Sequence, residues 1–244
     1  MVGRSVDAEG RPLSRSVVVT GGAGAIGVAV VDRFRALGDA VLSLDLREQA
    51  GVVACDVADE GSVAAAFAEV RERQGPVEVL VHSAGITGRG TVTDEDPDTW
   101  RRILEVNLTS AYLCCRQAIP DMAGLGRGRI VLIASVNGRF GGSALSGPAY
   151  AVSKGGLLTL ARFLAREHAA QGITVNAVAP GPHDTPMWTA LDAERRARIL
   201  EMIPGGEGPG DPADLAATVV HLCSPEARYI NGATIDVNGG QWMG

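Results

Sequence analysis

The sequence predicts one three-layer α/β domain, a mostly parallel sheet of about seven strands with helices on both faces. Three observations lead there. Short β-branched or apolar runs alternate with helical stretches from residue 16 onward; three strands and two helices fall within roughly the first 70 residues of the pattern, as a parallel sheet with helical crossovers requires. A glycine-rich turn, Gly21-Gly22-Ala23-Gly24-Ala25-Ile26-Gly27, joins the first run to the helix after it. The chain has 244 residues, 46% of them hydrophobic and 32 of them Gly, which suits one large core with many tight turns better than two small domains. This is the doubly wound, Rossmann-type pattern.

The elements are expected in this order. Residues 1–14 are polar and charged and form a flexible extension; the domain occupies 15–244. Strands are predicted at 16–20, 40–45, 52–57, 77–81, 129–134, 173–178 and 233–237. Helices are predicted at 28–37, 60–73, 97–122, from Pro148 through the apolar run 157–164, and at 212–222. Segment 182–210 is rich in Pro and Gly around one short helix near 191–202, and reads as a lid.

Charge narrows the partners. There are 22 basic and 28 acidic residues, a net of 22 − 28 = −6, and no basic run longer than a pair, which argues against nucleic acid or an anionic membrane. Residues 1–15 lack an apolar signal region, and no stretch approaches the length of a membrane span, so a cytoplasmic protein is expected. Cys55, Cys114, Cys115 and Cys223 show no metal-ligand spacing and read as buried free thiols, and no metal is expected.

Two patterns carry chemistry. Gly22, Gly24 and Gly27 match G-x-G-x-x-G between strand and helix, where backbone N–H groups can meet a pyrophosphate. Asp45 ends the second strand 18 residues after Gly27, close to the spacing at which a carboxylate meets the adenosine ribose hydroxyls. Farther on, Tyr150 and Lys154 stand four residues apart on a helix that Pro148 can begin, so both address one site. An opposite charge within about 4–6 Å lowers a phenol from its usual pKa near ~10 by roughly 1–3 units, toward the range useful for proton transfer.

With Thr20-Gly21…Gly27, Ser83-Ala84-Gly85, Asn107, Ser135, Tyr150-x-x-x-Lys154, Pro180-Gly181…Thr185 and the Gly239-Gly240 tail in order, residues 14–240 resemble a classical short-chain dehydrogenase/reductase. Ala25 replaces the middle Gly of the classical turn, His82-Ser83 replaces the usual Asn-Asn, and His183 stands where Val or Ile is usual. Read as Thr-Gly-x-x-Gly-x-x-Gly the turn also fits the extended subfamily, but the chain has no room for that group's added substrate domain.

The resemblance implies hydride transfer between a nicotinamide and a carbon bearing oxygen, with Tyr150 as general acid/base and Lys154 lowering its pKa and holding the nicotinamide ribose. Ser135 would bind the reacting oxygen, and Asn107 would bend its helix and hold a water relayed to Lys154; a polar residue satisfied by helix backbone is the alternative there. Counting back about 13 residues from Tyr150 gives Asn137, whereas aligning the strand 129–135 gives Ser135, and loops absorb insertions. Ser143 and Ser146 are the other candidates. Cofactor contacts are expected from Gly21, Gly24, Ala25, Ile26, Gly27, Asp45, Asp56, Val57, Ser83, Ala84, Gly85, Tyr150, Lys154, Pro180, Gly181, His183 and Thr185, although a lone loop His is more often solvated. Substrate walls are expected from Val136, Phe140, Met187, Trp188 and Leu191.

NAD is the expected cofactor and NADP the less favoured one, because Asp45 would face a 2′-phosphate. The substrate is expected to be a small-molecule secondary alcohol or ketone, and the assembly a homotetramer through the helices at 97–122 and 149–170, where Leu158 and Phe163 are expected to point away from the sheet-facing Leu157, Leu160, Ala161 and Leu164. The C-terminal Gln241-Trp242-Met243 is apolar for a tail and suits packing on a neighbouring subunit. Alternatives are a 3-oxoacyl thioester reductase acting on a carrier-protein or coenzyme A substrate, normally with NADPH, and a catalytically silent nucleotide-binding protein on the same fold.

Overall fold

The computed structural model describes residues 14–47, 51–204 and 208–244. Apart from Ser14, the expected N-terminal extension lies outside the described residues, as do three residues of the expected lid.

Seven strands form one sheet: β1 (Ser16–Thr20), β2 (Ala40–Asp45), β3 (Val52–Ala54), β4 (Val79–His82), β5 (Gly128–Ile133), β6 (Ile173–Pro180) and β7 (Thr234–Val237). Their order is β3-β2-β1-β4-β5-β6-β7, and every pair is parallel, so the mostly parallel sheet expected from the sequence is wholly so among the described residues. The strand order turns back between β1 and β4, which opens the crevice where doubly wound folds place their ligands.

The α-helices of the described residues are α1 (Ala25–Ala36), α2 (Glu60–Gln74), α3 (Pro97–Leu104), α4 (Ser110–Leu125), α5 (Asn137–Phe140), α6 (Pro148–His168), α7 (Pro186–Thr189), α8 (Ala193–Leu200) and α9 (Pro212–Leu222). The two-residue period of the strands splits the core in two. Val17 and Val19 of β1, Val79 and Val81 of β4, and Val131 and Ile133 of β5 pack under α1 and α9 with Phe34, Leu215 and Val219. The intervening Val18, Leu80, Ile130 and Leu132 pack on the other face under α2, α4 and α6 with Phe67, Leu113 and Leu157. Both faces are buried, which explains why these strands read as continuous apolar runs. Each fully buried large side chain contributes about 1.5–3 kcal/mol of transfer free energy.

Four expectations are corrected. The third strand stops at Ala54 rather than 57, because it pairs only with β2 and that ladder ends at Asp45. The helix expected at 97–122 is interrupted by a π-helical turn, Glu105–Thr109, between α3 and α4. Leu158 lies in the core with Leu157, Ala161 and Leu164 instead of facing away; Phe163 is exposed. The lid carries two short helices rather than one, since Thr185 caps α7 and Asp192 caps α8 by accepting the backbone N–H groups of Trp188 and Arg195.

Candidate active site

At the head of the crevice, β1 turns into α1 through Gly21, whose φ is +66°. A Cβ on Gly27 would lie 2.2 Å from the Gly21 carbonyl oxygen, so only glycine lets the helix begin against the turn. Gly24 occupies the N-cap and offers no side-chain acceptor, leaving the first N–H groups of α1, on Ala25, Ile26 and Gly27, without one. Such a start suits a phosphate group. Asp45 stands beside it, its Oδ2 accepting the Ala23 N–H at 3.1 Å and its Oδ1 the Arg47 N–H at 3.4 Å. The bond to Ala23 ties the carboxylate to the glycine turn. Asp56 is turned to local work: its Oδ1 accepts the Ala58 N–H at 3.0 Å, and its Oδ2 lies 3.6 Å from Arg102. Val57 is buried.

Beneath the crevice runs a polar chain that the sequence reading saw only as an unusual His82. Ser83 and Ala84 each donate a backbone N–H to Thr20 Oγ1 at 3.2 Å. The Thr20 hydroxyl lies 2.9 Å from His82 Nδ1, and His82 Nε2 lies 3.1 Å from Ser110 Oγ. Ser110 uses its one proton on the Val106 carbonyl at 2.5 Å. It must therefore accept from His82, which puts the imidazole proton on Nε2 and makes Nδ1 the acceptor from Thr20. His82 is fully buried, and burial first, then the Lys154 charge, pushes its pKa down from 6.5 to about 3. The ring is neutral at ordinary pH. This chain ties the ends of β1 and β4 to the π-helical turn.

Asn107 sits in that turn, completely buried. Its Oδ1 accepts the Ile86 N–H at 2.8 Å, while Nδ2 donates to the Ile86 carbonyl at 2.9 Å and to Ser153 Oγ at 3.0 Å. The side chain thus clasps the segment after Gly85 and holds it to α6. A Cβ on Gly85 would stand 3.3 Å from both Asn107 Oδ1 and Lys154 Nζ, so these groups are immediate neighbours.

Ser135, Tyr150 and Lys154 meet where β5 ends. Ser135 is buried, stands beside the Tyr150 phenol, and accepts from Asn137 through the backbone N–H at 3.1 Å and Nδ2 at 3.4 Å. Ser146 donates to Asn137 Oδ1 at 3.4 Å. The residues on which the counting arguments disagreed are therefore one network, with Ser135 the member that touches the phenol. The short helix α5 packs against α6 so closely that a Cβ on Gly138 would come within 2.7 Å of the Lys154 carbonyl carbon.

The electrostatics correct one expectation. Lys154 does not dominate the phenol; burial raises the Tyr150 pKa above its usual 10, and the neighbouring Ser135 hydroxyl opposes the rise. The Lys154 ammonium lies 5.7 Å from the tyrosine ring centroid and donates to the Ile133 carbonyl at 2.8 Å. Its own pKa is pushed down to about 8 by burial.

The far wall is formed by the end of β6. His183 is buried rather than solvated; Nδ1 donates to the Gly181 carbonyl at 3.0 Å, and the ring lies against Gly210, where a Cβ would come within 3.1 Å of Nε2. Gly210 also donates its N–H to the Pro182 carbonyl at 2.9 Å, which pinches the lid at its base. The Thr185 hydroxyl accepts the Trp188 N–H at 3.3 Å. Of the expected substrate walls, Val136 and Trp188 are buried and Phe140 and Met187 exposed; Leu191 is half-buried. The C-terminal tail folds back on its own chain: Arg139 makes a paired contact with Asp236 at 3.0 and 2.8 Å and stacks over the Trp242 ring at 4.7 Å.

The residues present suit a dinucleotide. An uncapped helix start, a carboxylate fixed beside it, and a buried lysine next to a tyrosine that stands beside Ser135 lie around one crevice. Among the described residues no cluster of three or more His, Cys, Asp or Glu could hold a metal, and no helix is long and apolar enough to cross a membrane.

An all-parallel, doubly wound sheet with a tyrosine and a lysine on one helix beside its crevice defines a Rossmann-type oxidoreductase. The family described as enoyl-(acyl carrier protein) reductase matches residues 21–241. The chain is 40% identical over 237 residues to the 3-oxoacyl-(acyl-carrier-protein) reductase MabA of Mycobacterium tuberculosis, covering 95% of this chain and 94% of that one. It is 38% identical to the 2-(R)-hydroxypropyl-CoM dehydrogenase of Xanthobacter autotrophicus, covering 93% and 98%. The crystal structure of gox2181 superposes with a TM-score of 0.90 at 30% identity, covering 93% and 95%. The chain belongs to the short-chain dehydrogenase/reductase family.

Proposed function

We propose that this protein interconverts a ketone and a secondary alcohol with NAD(H), and that its substrate is a 3-oxoacyl thioester and the corresponding 3-hydroxyacyl thioester. The observation that carries the reaction is the buried Tyr150 phenol beside Ser135, with Lys154 one helical turn away. The substrate class is supported by relatives named 3-oxoacyl-(acyl-carrier-protein) reductases, which moves the reading from the general alcohol dehydrogenase expected from motifs to what was the alternative there. The NAD preference is supported by Asp45, held on the glycine turn.

When bound, the nicotinamide supplies or accepts the hydride. Everything else falls to the chain. The start of α1 and Asp45 hold the two ends of the adenosine diphosphate portion, and Lys154, beside Gly85, holds the nicotinamide ribose. Ser135 fixes the substrate oxygen, and Tyr150 gives that oxygen a proton in reduction or takes it in oxidation. A high phenol pKa suits the protonated acid that reduction needs. Lys154, with a pKa near 8, remains mostly charged at neutral pH and favours the phenolate once the proton has left. Asn107 and the His82 chain hold the floor on which this happens.

A second reading, a dehydrogenase of small secondary alcohols, is favoured by the similarity to 2-(R)-hydroxypropyl-CoM dehydrogenase. Steady-state rates with acetoacetyl-CoA and NADH, set beside rates with short secondary alcohols and NAD, separate the two. Tyr150→Phe should abolish turnover in both directions while nucleotide binding persists. More than a few per cent of the parent kcat in the folded variant would remove Tyr150 from the mechanism. The assembly belonging to this reading is a homotetramer, supported by Tyr112, Val152 and Phe163, which α4 and α6 leave exposed.

A further inference from the structure

The helix that carries Tyr150 starts poorly by its own means. Its N-cap is Gly147, with no side chain to offer, and its first residue, Pro148, has no N–H. The first N–H of α6 is therefore that of Ala149, and it goes to Glu95 Oε1 at 3.0 Å, a partner 54 residues earlier in the chain. The other oxygen, Oε2, is buried with no hydrogen-bond partner.

A slot holds this carboxylate. A Cβ on Gly88 would come within 2.7 Å of Oε2, and one on Gly147 within 2.8 Å. Gly88 has no left-handed backbone to explain it, so crowding by Glu95, by Ile103 Cδ1 at 2.9 Å and by the Ser146 carbonyl at 3.1 Å accounts for its missing side chain. A partnerless buried carboxylate oxygen is costly to keep, and here it is wedged where it fixes the loop 88–95 against the start of α6.

We infer that Glu95 is a positioning residue for the reaction: it caps the catalytic helix from outside and thereby sets where the Tyr150 hydroxyl stands against Ser135. The inference rests on the role given to Tyr150 above. Glu95 acts through the oxygen that accepts from Ala149, so glutamine, which keeps that oxygen, should serve nearly as well as glutamate.

The test compares Glu95→Ala, Glu95→Gln and Gly88→Ala with the parent, using Tyr150→Phe as reference. Amide hydrogen exchange of peptides spanning 147–152 reads the helix start without any substrate, and kcat with acetoacetyl-CoA, or whichever carbonyl compound the parent turns over, reads the chemistry. Glu95→Ala should speed exchange and lower kcat about tenfold each, with the NADH Kd within about twofold of the parent; Glu95→Gln should restore both, and Gly88→Ala should resemble Glu95→Ala. Unchanged exchange in Glu95→Ala, or equal damage in Glu95→Gln, overturns the inference. Faster exchange with an undiminished kcat, where Tyr150→Phe is inactive, overturns it too. If Tyr150→Phe keeps its turnover, the functional reading fails instead, and the exchange data alone decide whether Glu95 sets the helix start.

Discussion

At single residues, the chemistry turns on which desolvated group wins. Tyr150 and Lys154 were expected to settle their protonation between themselves, yet both are shifted chiefly by burial, the phenol upward and the ammonium down to about 8. Their pKa values move apart, because burial disfavours the charged form of each, so the phenol holds its proton more firmly than the ammonium does. Asp45 is simpler. With one oxygen on the Ala23 N–H, it cannot swing away from a 2′-phosphate, while Arg47, the nearest base, is exposed. NADH should be preferred over NADPH by at least ~100-fold in kcat/KM, about 2.7 kcal/mol. Asp45→Ala should erode that ratio mainly by weakening NADH binding; equal efficiency with NADPH in the parent protein would assign the pocket to Arg47.

Between elements, polar side chains do the joining. His82 links Thr20 at the end of β1 to Ser110 at the start of α4, and the link needs a neutral ring. Its folded pKa of about 3 lies below the ordinary 6.5, so between these values the unfolded chain binds a proton that the folded chain does not. Stability from this group is complete above pH 6.5 and is lost as pH falls toward 3. His82→Asn should therefore show a shallower drop in urea midpoint than the parent between about pH 6.5 and pH 4; parallel curves would mean that the ring charges without disturbing its neighbours. Gly138 works through contact instead. Gly138→Ala should push α5 off the Lys154 backbone and destabilise the protein by about 1–3 kcal/mol, measurable as a lower urea midpoint, because the neighbour is backbone and cannot rotate aside.

For the molecule as a whole, the outer faces of α4 and α6 leave Tyr112, Val152 and Phe163 about half or more exposed, an unusual amount of large apolar surface for helices that also line the core. Light scattering should return four times the chain mass at micromolar concentration, and Phe163→Glu should lower it; a monomeric parent would count decisively against the tetramer. Trp242, by contrast, is engaged by Arg139 of its own chain.

Local pattern was enough for the layers and the catalytic helix, since strand alternation, the glycine turn and a four-residue Tyr–Lys spacing are written in adjacent residues. The sheet order is nearly as legible, because parallel crossovers leave few windings open. Long-range contact decided the rest. Only in the folded chain does Glu95 reach Ala149, does Lys154 reach the Ile133 carbonyl, and do Thr20, His82 and Ser110 align. The same holds for the buried His183, which local composition suggested was solvated. Burial shifts a pKa and fixes a hydrogen-bond partner according to what surrounds a group in space, and neighbours 28, 54 or 62 positions away leave no mark in the residues beside it.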